Sequence, residues 1–158
     1  MRSYSFLTTW ILDAPRDRAW DGIWESERWP EWWRGVRRVI ELDPGGPDGV
    51  GKLARYTWRS RLPYDLTFDM RTVHVAAPHL LEGEAAGELV GAGRWRLFAE
   101  GSTRTAVTYE WRVGTTKPWM NALAPLARPA FEWNHDWVMR NGGAGLASLL
   151  GCRLLASD

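Results

Sequence analysis

The chain has 158 residues, with 20 lysines and arginines against 19 aspartates and glutamates, so its formal net charge is +1. Nucleic-acid-binding domains carry a strongly basic face, and this balance argues against one. The single cysteine, Cys152, excludes an internal disulfide and a zinc site built from cysteines.

The length fits one domain, spanning residues 1–158, around one hydrophobic core. The N-terminus lacks the long apolar run of a signal peptide, and no stretch is apolar enough to cross a bilayer. We therefore expect a cytoplasmic protein without stable membrane insertion. Its 12 tryptophans exceed what a core needs, and a large ring with one N–H suits walls that are apolar but partly wet.

The N-terminal part of the chain predicts a strand followed by two short helices. Residues 3–12 alternate, which places Tyr4, Phe6, Thr8 and Trp10 on one face. The next segment predicts a helix with Asp13 as its N-cap and Pro15 in its first turn, ending near Trp24. A second short helix is predicted over residues 29–33, with proline near its start.

The middle of the chain predicts six further strands joined by short turns. They cover residues 35–42, 52–59, 64–75, 80–88, 89–99 and 103–113. In the last of them, Val107, Tyr109 and Trp111 alternate with Thr108 and Glu110. Such alternation indicates an antiparallel sheet with one covered face and one wet face.

From Pro118 onward the apolar pattern becomes helical. Because proline is tolerated in a first turn but not in mid-helix, we predict a short helix near 118–127 and a long one from Pro129 to about Leu150. The predicted fold class is α+β, a helix-grip fold. In it a curved seven-stranded antiparallel sheet wraps around the long C-terminal helix, and the two short helices after the first strand close one end.

Several local motifs strengthen this prediction. They are Asp13-Ala-Pro15 followed by Ala19-Trp20, Trp29-Pro30-Glu31-Trp32 running into Val36 and Val39, the Gly49-Val50-Gly51 turn, and the apolar helix from Pro129. In their order and spacing the chain resembles the START-like (SRPBCC) superfamily, which includes polyketide cyclase/dehydrase and lipid-transport proteins and the birch-pollen-allergen type. The resemblance implies a cavity between the sheet and the C-terminal helix. It implies no single reaction, and no catalytic residue is carried over from it.

Strand and helix parity then name the residues that would line such a cavity. The predicted ligand-binding residues are Tyr56, Trp58, Tyr64, Phe68, Trp95, Tyr109, Trp111, Phe131, Asn134, His135 and Val138. Binding pockets of this kind are mainly apolar with a few placed polar groups. Residues large enough to wall a cavity are also large enough to fill it, so a packed aromatic core is the alternative.

Asn134 and His135 interrupt the apolar stripe of the long helix, which continues through Val138, Gly142, Gly145, Leu146 and Leu149. The pair could hydrogen-bond a ligand carbonyl or hydroxyl. His135 could also act as a general acid or base, since its ordinary pKa of ~6.5 lies near neutrality. The alternative is a structural pair bonded to the backbone or to a tryptophan N–H.

Gly142, Gly143 and Gly145 stand in mid-helix, where each costs ~1 kcal/mol relative to alanine. They predict either close packing against a neighbour or space for a ligand. The tryptophans at 29, 32 and 33, with Trp119, are predicted near the pocket mouth as a gate, as a cap on the core, or as an exposed contact patch.

Two groups of charged or titratable residues are interpreted as structural. Glu82, Glu84 and Glu88 alternate on one strand face and would pair with Arg94 and Arg96 as a cross-strand ladder facing water. His74 has the parity of the apolar face, near a strand end, so a structural histidine or a cavity-rim position is predicted. No histidine pair has metal-ligand spacing, and no glycine loop could cradle a phosphate, so neither a metal nor another cofactor is expected.

Three functions remain open. The first is non-covalent binding of a small hydrophobic or aromatic ligand, either a lipid or a polyketide-like compound. The second is an aromatase/cyclase- or dehydratase-like enzyme that uses Asn134 and His135. The third is a partner-binding protein or homodimer that uses the Trp29–Trp33 cluster.

Overall fold

The computed structural model describes residues 3–59, 65–118, 122 and 124–158. Its strands are β1 (Ser3–Leu12), β2 (Val36–Asp43), β3 (Leu53–Trp58), β4 (Leu66–Ala76), β5 (Leu80–Gly87), β6 (Leu89–Glu100), β7 (Arg104–Thr115) and β8 (Leu154–Ser157). Its helices are α1 (Arg16–Trp24), α2 (Trp29–Trp32) and α3 (Ala124–Leu150), with a 3-10 turn over Ser26–Arg28. The predicted α+β helix-grip fold is confirmed.

All strands join one antiparallel sheet in the order β2-β3-β4-β5-β6-β7-β1-β8. The seven predicted strands are present, with ends within three residues of the predicted ones. The eighth strand, β8, was not predicted, because four residues after a helix carry too little alternation to be recognised. It pairs with the end of β1, where Trp10 lies opposite Ser157.

The predicted N-cap of the first helix is wrong. Pro15 takes the N-cap position with extended backbone, and no side chain caps the helix. The backbone N–H of Asp13 instead donates to the carbonyl of Arg153, and its carboxylate lies 3.6 Å from the Arg153 guanidinium. Asp13 therefore fastens the chain that leads into β8, a contact that depends on the tertiary fold.

The predicted start of the long helix at Pro129 is also wrong. α3 begins at Ala124 and runs through Pro129 to Leu150. A proline inside a helix removes one backbone hydrogen bond, and here Pro129 is exposed near the start of α3. Part of the short helix predicted near 118–127 lies outside the described residues, and its end forms the first turn of α3.

The sheet is curved, and β4 carries a bulge that changes which side chains face inward. The register between β4 and β5 shifts between Thr72 and His74. A bulge reverses parity, so Val75 packs against the core while His74 faces outward. The prediction that His74 shares the apolar face is therefore wrong.

Candidate functional site

A cavity of about 150 Å³ lies between the concave face of the sheet and the first half of α3. A single water needs only about 10–15 Å³ by a comparable measure, so this space is large enough for a small organic molecule. Most of its lining is aromatic or aliphatic, with contributions from β1, β3, β4, β5, β6, β7, α1, α2 and α3.

Every predicted ligand-binding residue that the structure describes lines this cavity. They are Tyr56, Trp58, Phe68, Trp95, Tyr109, Trp111, Phe131, Asn134, His135 and Val138. Tyr64 lies outside the described residues. Lining a cavity is a position and not yet a role, so binding by these residues stays a prediction.

Sheet register explains why the aromatic walls are continuous. Tyr56 lies opposite Phe68, and Trp95 lies opposite Tyr109, so rings from neighbouring strands meet on the concave face. The Trp95 and Tyr109 ring centroids are 4.2 Å apart. A Cβ added at Gly93 would overlap the Tyr109 hydroxyl, so glycine in β6 makes room for that phenol.

One end of the region between sheet and helix is filled by three tryptophans, Trp10, Trp29 and Trp33, which we call the tryptophan plug. All three are buried, with side chains no more than 6% exposed. Trp10 Nε1 donates to the carbonyl of Met139 (3.1 Å), Trp33 Nε1 to that of Val138 (2.9 Å), and Trp29 Nε1 to that of Gly22 (3.1 Å). Each indole is therefore held by packing and by a hydrogen bond.

The three mid-helix glycines allow close packing against tryptophans, two of them in this plug and one beside it. A Cβ at Gly142 would lie 2.5 Å from the Trp33 ring, and one at Gly143 would lie 2.9 Å from the Trp10 ring. At Gly145 a Cβ would overlap the carbonyl oxygen of Trp32. Close packing is thus their function, and the alternative that they leave ligand space is wrong.

The apolar stripe of α3 is accordingly divided. Phe131, Asn134, His135 and Val138 line the cavity, whereas the second half of the helix packs against α1 and α2. Leu149, predicted on the buried face, is 42% exposed.

The burial of the Trp29–Trp33 cluster bears on the three roles predicted for it: a gate, a cap on the core or an exposed contact patch. Trp29 and Trp33 are buried and line the cavity, as expected of a cap on the core. Trp32 is half-buried against the core. With two of its three tryptophans buried, the cluster offers little exposed surface to a partner or a second copy. Trp119 lies outside the described residues.

The opposite region of the cavity contains four rings, Tyr4 and Phe6 of β1 with Phe131 and His135 of α3, which we call the ring cluster. The His135 imidazole stacks on Phe6 with centroids 4.0 Å apart and planes 13° apart. Tyr4 packs on Phe131 at 4.9 Å and lies parallel to Phe6 at 6.3 Å. All four residues line the cavity.

Three of the described cavity-lining residues have a buried polar atom without a partner. Within the described part of the chain, Tyr4 Oη, His135 Nε2 and Trp58 Nε1 are buried without a hydrogen bond. Burial lowers the pKa of His135 to about 4, so its imidazole is neutral at pH 7. The neighbouring Asn134 is 7% exposed.

The tyrosines on the sheet are neutral hydrogen-bonding groups. Burial raises the pKa of Tyr56 to about 12, against the effect of a hydrogen bond with the Ser26 side chain. Burial also raises the pKa of Tyr109. Neither phenol is an effective acid or base near neutrality.

The cavity also has a charged corner. Lys52 lines it, and its Nζ lies 2.6 Å from Glu27 Oε1 and 4.0 Å from Glu41 Oε1. The ammonium group also lies 5.5 Å from the centroid of the Trp24 ring. This lysine is already paired with carboxylates.

The outer face of the sheet carries the predicted charge ladder in part. Arg94 donates to Glu82 at 3.2 Å and lies 3.6 Å from Glu110, and His74 lies 3.8 Å from Glu82. Glu88 instead pairs with Lys117 and accepts the backbone N–H of Thr67. The ladder is therefore built from Glu82, Arg94 and Glu110 rather than from three glutamates and two arginines.

Several lining residues were not predicted. Tyr4 and Phe6 had the right strand parity, which could have identified them. Ile23 and Ser26 come from segments without a strand pattern, so only the tertiary fold brings them to the cavity. Lys52 shares the parity of Tyr56 and Trp58 in the predicted strand 52–59, which could have identified it.

The described residues contain no group of three or more His, Cys, Asp or Glu side chains placed to hold a metal ion. Among them there is also no helix with the length and hydropathy needed to span a membrane.

Comparisons with known proteins place the fold. No protein-family model matches the sequence, and no curated protein matches it significantly. The structure is similar to the Zhui aromatase/cyclase from Streptomyces sp. R1128, with a TM-score of 0.74 and 19% identity over 95% of this chain and 93% of that one.

It is also similar to a START superfamily protein from Mycobacterium smegmatis (TM-score 0.69, 13% identity, 94% of this chain and 97% of that one). A third similar structure is norcoclaurine synthase from Thalictrum flavum (TM-score 0.64, 11% identity, 94% of each chain). Likeness at such identities shows the fold and not the activity. The chain has the START-like helix-grip fold.

Proposed function

We propose that this protein binds a small hydrophobic or aromatic molecule, lipid or polyketide-like, in the cavity between the sheet and α3. The observation that carries the proposal is an aromatic-walled space that contains buried polar atoms without partners. Native interiors are close-packed, and their buried polar groups are nearly always hydrogen-bonded. A bound ligand would fill the space and would hydrogen-bond to the unpartnered polar atoms.

The lining suits such a ligand energetically. Removing apolar surface from water contributes roughly 25 cal/mol per Å², and rings on several sides would cover both faces of a flat molecule. Similarly folded proteins support an aromatic ligand. They include aromatase/cyclases, and a norcoclaurine synthase whose structure holds dopamine and hydroxybenzaldehyde.

The test fills the cavity by substituting a lining leucine with tryptophan, and it compares the effect on ligand binding with that of the same substitution outside the cavity. Leu66 is buried and lines the cavity, whereas Leu7 is 65% exposed on the convex side of β1. Wild type, Leu66→Trp and Leu7→Trp are titrated with a panel of fused-ring aromatics and neutral lipids. Thermal denaturation and native mass spectrometry report binding.

A ligand at 100 times its Kd should stabilise wild type and Leu7→Trp by about 2.7 kcal/mol, and Leu66→Trp by much less. The proposal fails if no panel member binds wild type and no ligand co-purifies, or if Leu66→Trp binds as wild type does. Circular dichroism of Leu66→Trp separates a filled cavity from a misfolded protein.

A cyclase-like enzyme is the second candidate, favoured by the unpartnered His135 Nε2 in the cavity and by the fold of the aromatase/cyclases. A histidine with a pKa of about 4 is neutral at pH 7 but is a weak base, which limits its proton-transfer efficiency. Turnover of a bound polyketide-like substrate that His135→Phe abolishes without loss of binding would support this candidate. Binding without turnover would leave the carrier function.

A further inference from the structure

The charged groups around the cavity restrict what it can hold. Among the described lining residues, Lys52 is the only lysine or arginine, and Glu27 already neutralises it at 2.6 Å. The carboxylate Glu82, also in the lining, accepts from Arg94 on the outer face. A carboxylate ligand would therefore enter an apolar space without a free cation to compensate it, which is strongly unfavourable.

The ring cluster offers neutral hydrogen-bonding groups instead. Tyr4 is only 3% exposed, and its hydroxyl has no hydrogen-bond partner within the described part of the chain. Its ring is fixed between Phe131 and the guanidinium of Arg128, which lies 4.9 Å from the ring centroid. Arg128 itself donates to the carbonyl of Ser3, at 3.4 Å, and lies 4.0 Å from Glu132.

His135 provides the second neutral group. Phe6 fixes its ring by stacking, and Nε2 is buried without a partner in the described structure. A neutral imidazole with its proton on Nδ1 presents Nε2 as an acceptor, whereas a phenol such as that of Tyr4 can donate. A ligand hydroxyl complements this pair, since it accepts one hydrogen bond and donates another.

We propose that Tyr4 and His135 form a polar subsite that selects an uncharged aromatic ligand carrying a phenolic or enolic hydroxyl. This inference rests on the proposed function and adds the chemical class of the ligand and the residues that recognise it. The aromatic walls supply most of the affinity, and the subsite supplies orientation and selectivity.

The experiment uses three probes with the same fused rings: naphthalene, 2-naphthol and 2-naphthoate. Their Kd values are measured by fluorescence titration with wild type, Tyr4→Phe, His135→Phe and the surface control His74→Asn. Wild type should bind 2-naphthol about tenfold more tightly than naphthalene and 2-naphthoate more weakly than either, since each neutral hydrogen bond changes affinity by about three- to tenfold.

Tyr4→Phe and His135→Phe should each reduce the ratio of 2-naphthol affinity to naphthalene affinity by about threefold or more. His74→Asn should keep the wild-type ratio, because His74 lies on the outer face. Circular dichroism of each variant shows that it still folds, and the ratio within one variant cancels changes in cavity shape that both probes share.

The outcomes separate the two proposals. Equal affinity of wild type for naphthalene and 2-naphthol, or a preference that survives both substitutions, overturns the subsite and leaves the binding cavity intact. Tightest binding of 2-naphthoate overturns the neutral ligand class. Failure of all three probes and of the wider panel to bind would overturn the proposed function itself.

Discussion

The tryptophan plug and the ring cluster are both aromatic groups held between β1 and α3, yet they treat their polar atoms differently. In the plug, each indole N–H donates to a backbone carbonyl at 2.9–3.1 Å, and mid-helix glycines let the rings approach the helix. In the ring cluster, the Tyr4 hydroxyl and His135 Nε2 are buried without partners in the described structure. Trp29 and Trp33 also line the cavity, so the two groups differ in whether their polar atoms are hydrogen-bonded and not in whether they border the space.

The difference teaches that aromatic content alone does not distinguish a core from a binding site. A buried ring whose N–H or O–H is already hydrogen-bonded inside the protein has no unmet donor for a ligand to satisfy. A buried ring with an unpaired polar atom has given up hydrogen bonds to water, and binding can restore them. Trp32 shows the limit of the criterion: its indole nitrogen also lacks a partner in the described structure, but the residue does not line the cavity.

The largest expected effect on stability comes from the packing of α3 against the end of α2. Gly145→Ala should lower the free energy of unfolding by about 3 kcal/mol, because overpacking against a fixed backbone carbonyl outweighs the better helix propensity of alanine. Chemical denaturation measures the change. Ser148→Ala, on the exposed side of the same helix, is the control and should change stability by less than about 0.5 kcal/mol. A neutral Gly145→Ala would show that α3 packs loosely against the Trp32 backbone at the end of α2.

A second prediction concerns the pH dependence of stability that arises from His135 in the ring cluster. The pKa of His135 is about 4 when folded and ~6.5 when unfolded, so between these values the unfolded chain binds more protons. The contribution of the neutral imidazole to the free energy of unfolding is therefore fully present above pH ~6.5 and is lost as the pH falls toward 4. With a discount for partial exposure, the loss is about 2 kcal/mol.

The measurement is the free energy of unfolding at pH 7 and pH 4.5 for wild type and His135→Phe. The variant should lose less stability on acidification, because the remaining titrating groups are common to both proteins. His74→Asn serves as the histidine control and should behave as wild type does. An equal loss in wild type and His135→Phe would show that this imidazole is solvated rather than buried.

The smallest effect compares two buried hydroxyls directly. Thr105 Oγ1 donates to the carbonyl of Ala14 at 2.7 Å, whereas Tyr4 Oη has no partner in the described structure. Thr105→Val should therefore destabilise the ligand-free protein by about 1 kcal/mol, and Tyr4→Phe should leave it unchanged or stabilise it by up to about 1 kcal/mol. Urea denaturation of both variants tests this. Destabilisation by Tyr4→Phe would mean that its hydroxyl is satisfied after all.

Much of the fold was predictable because period and parity are local properties. The alternation in 103–113 placed Tyr109 and Trp111 on the covered face, and both line the cavity. The helical stripe placed Asn134 and His135 beside Phe131 and Val138, where the structure has them. The failures occurred where contacts between distant segments override local signals, as at Asp13, Pro129 and the β4 bulge that turns His74 outward.

Side-chain spacing along single elements predicts the aromatic lining and the polar pair on α3, and the order of those elements predicts the helix-grip architecture. The tertiary structure alone determines which buried polar atoms of the aromatic rings find a hydrogen-bond partner. That distinction depends on partners more than 100 residues away, as between Trp33 and Val138 or Trp10 and Met139. No local pattern records whether a tryptophan N–H or a tyrosine hydroxyl finds its acceptor across the fold.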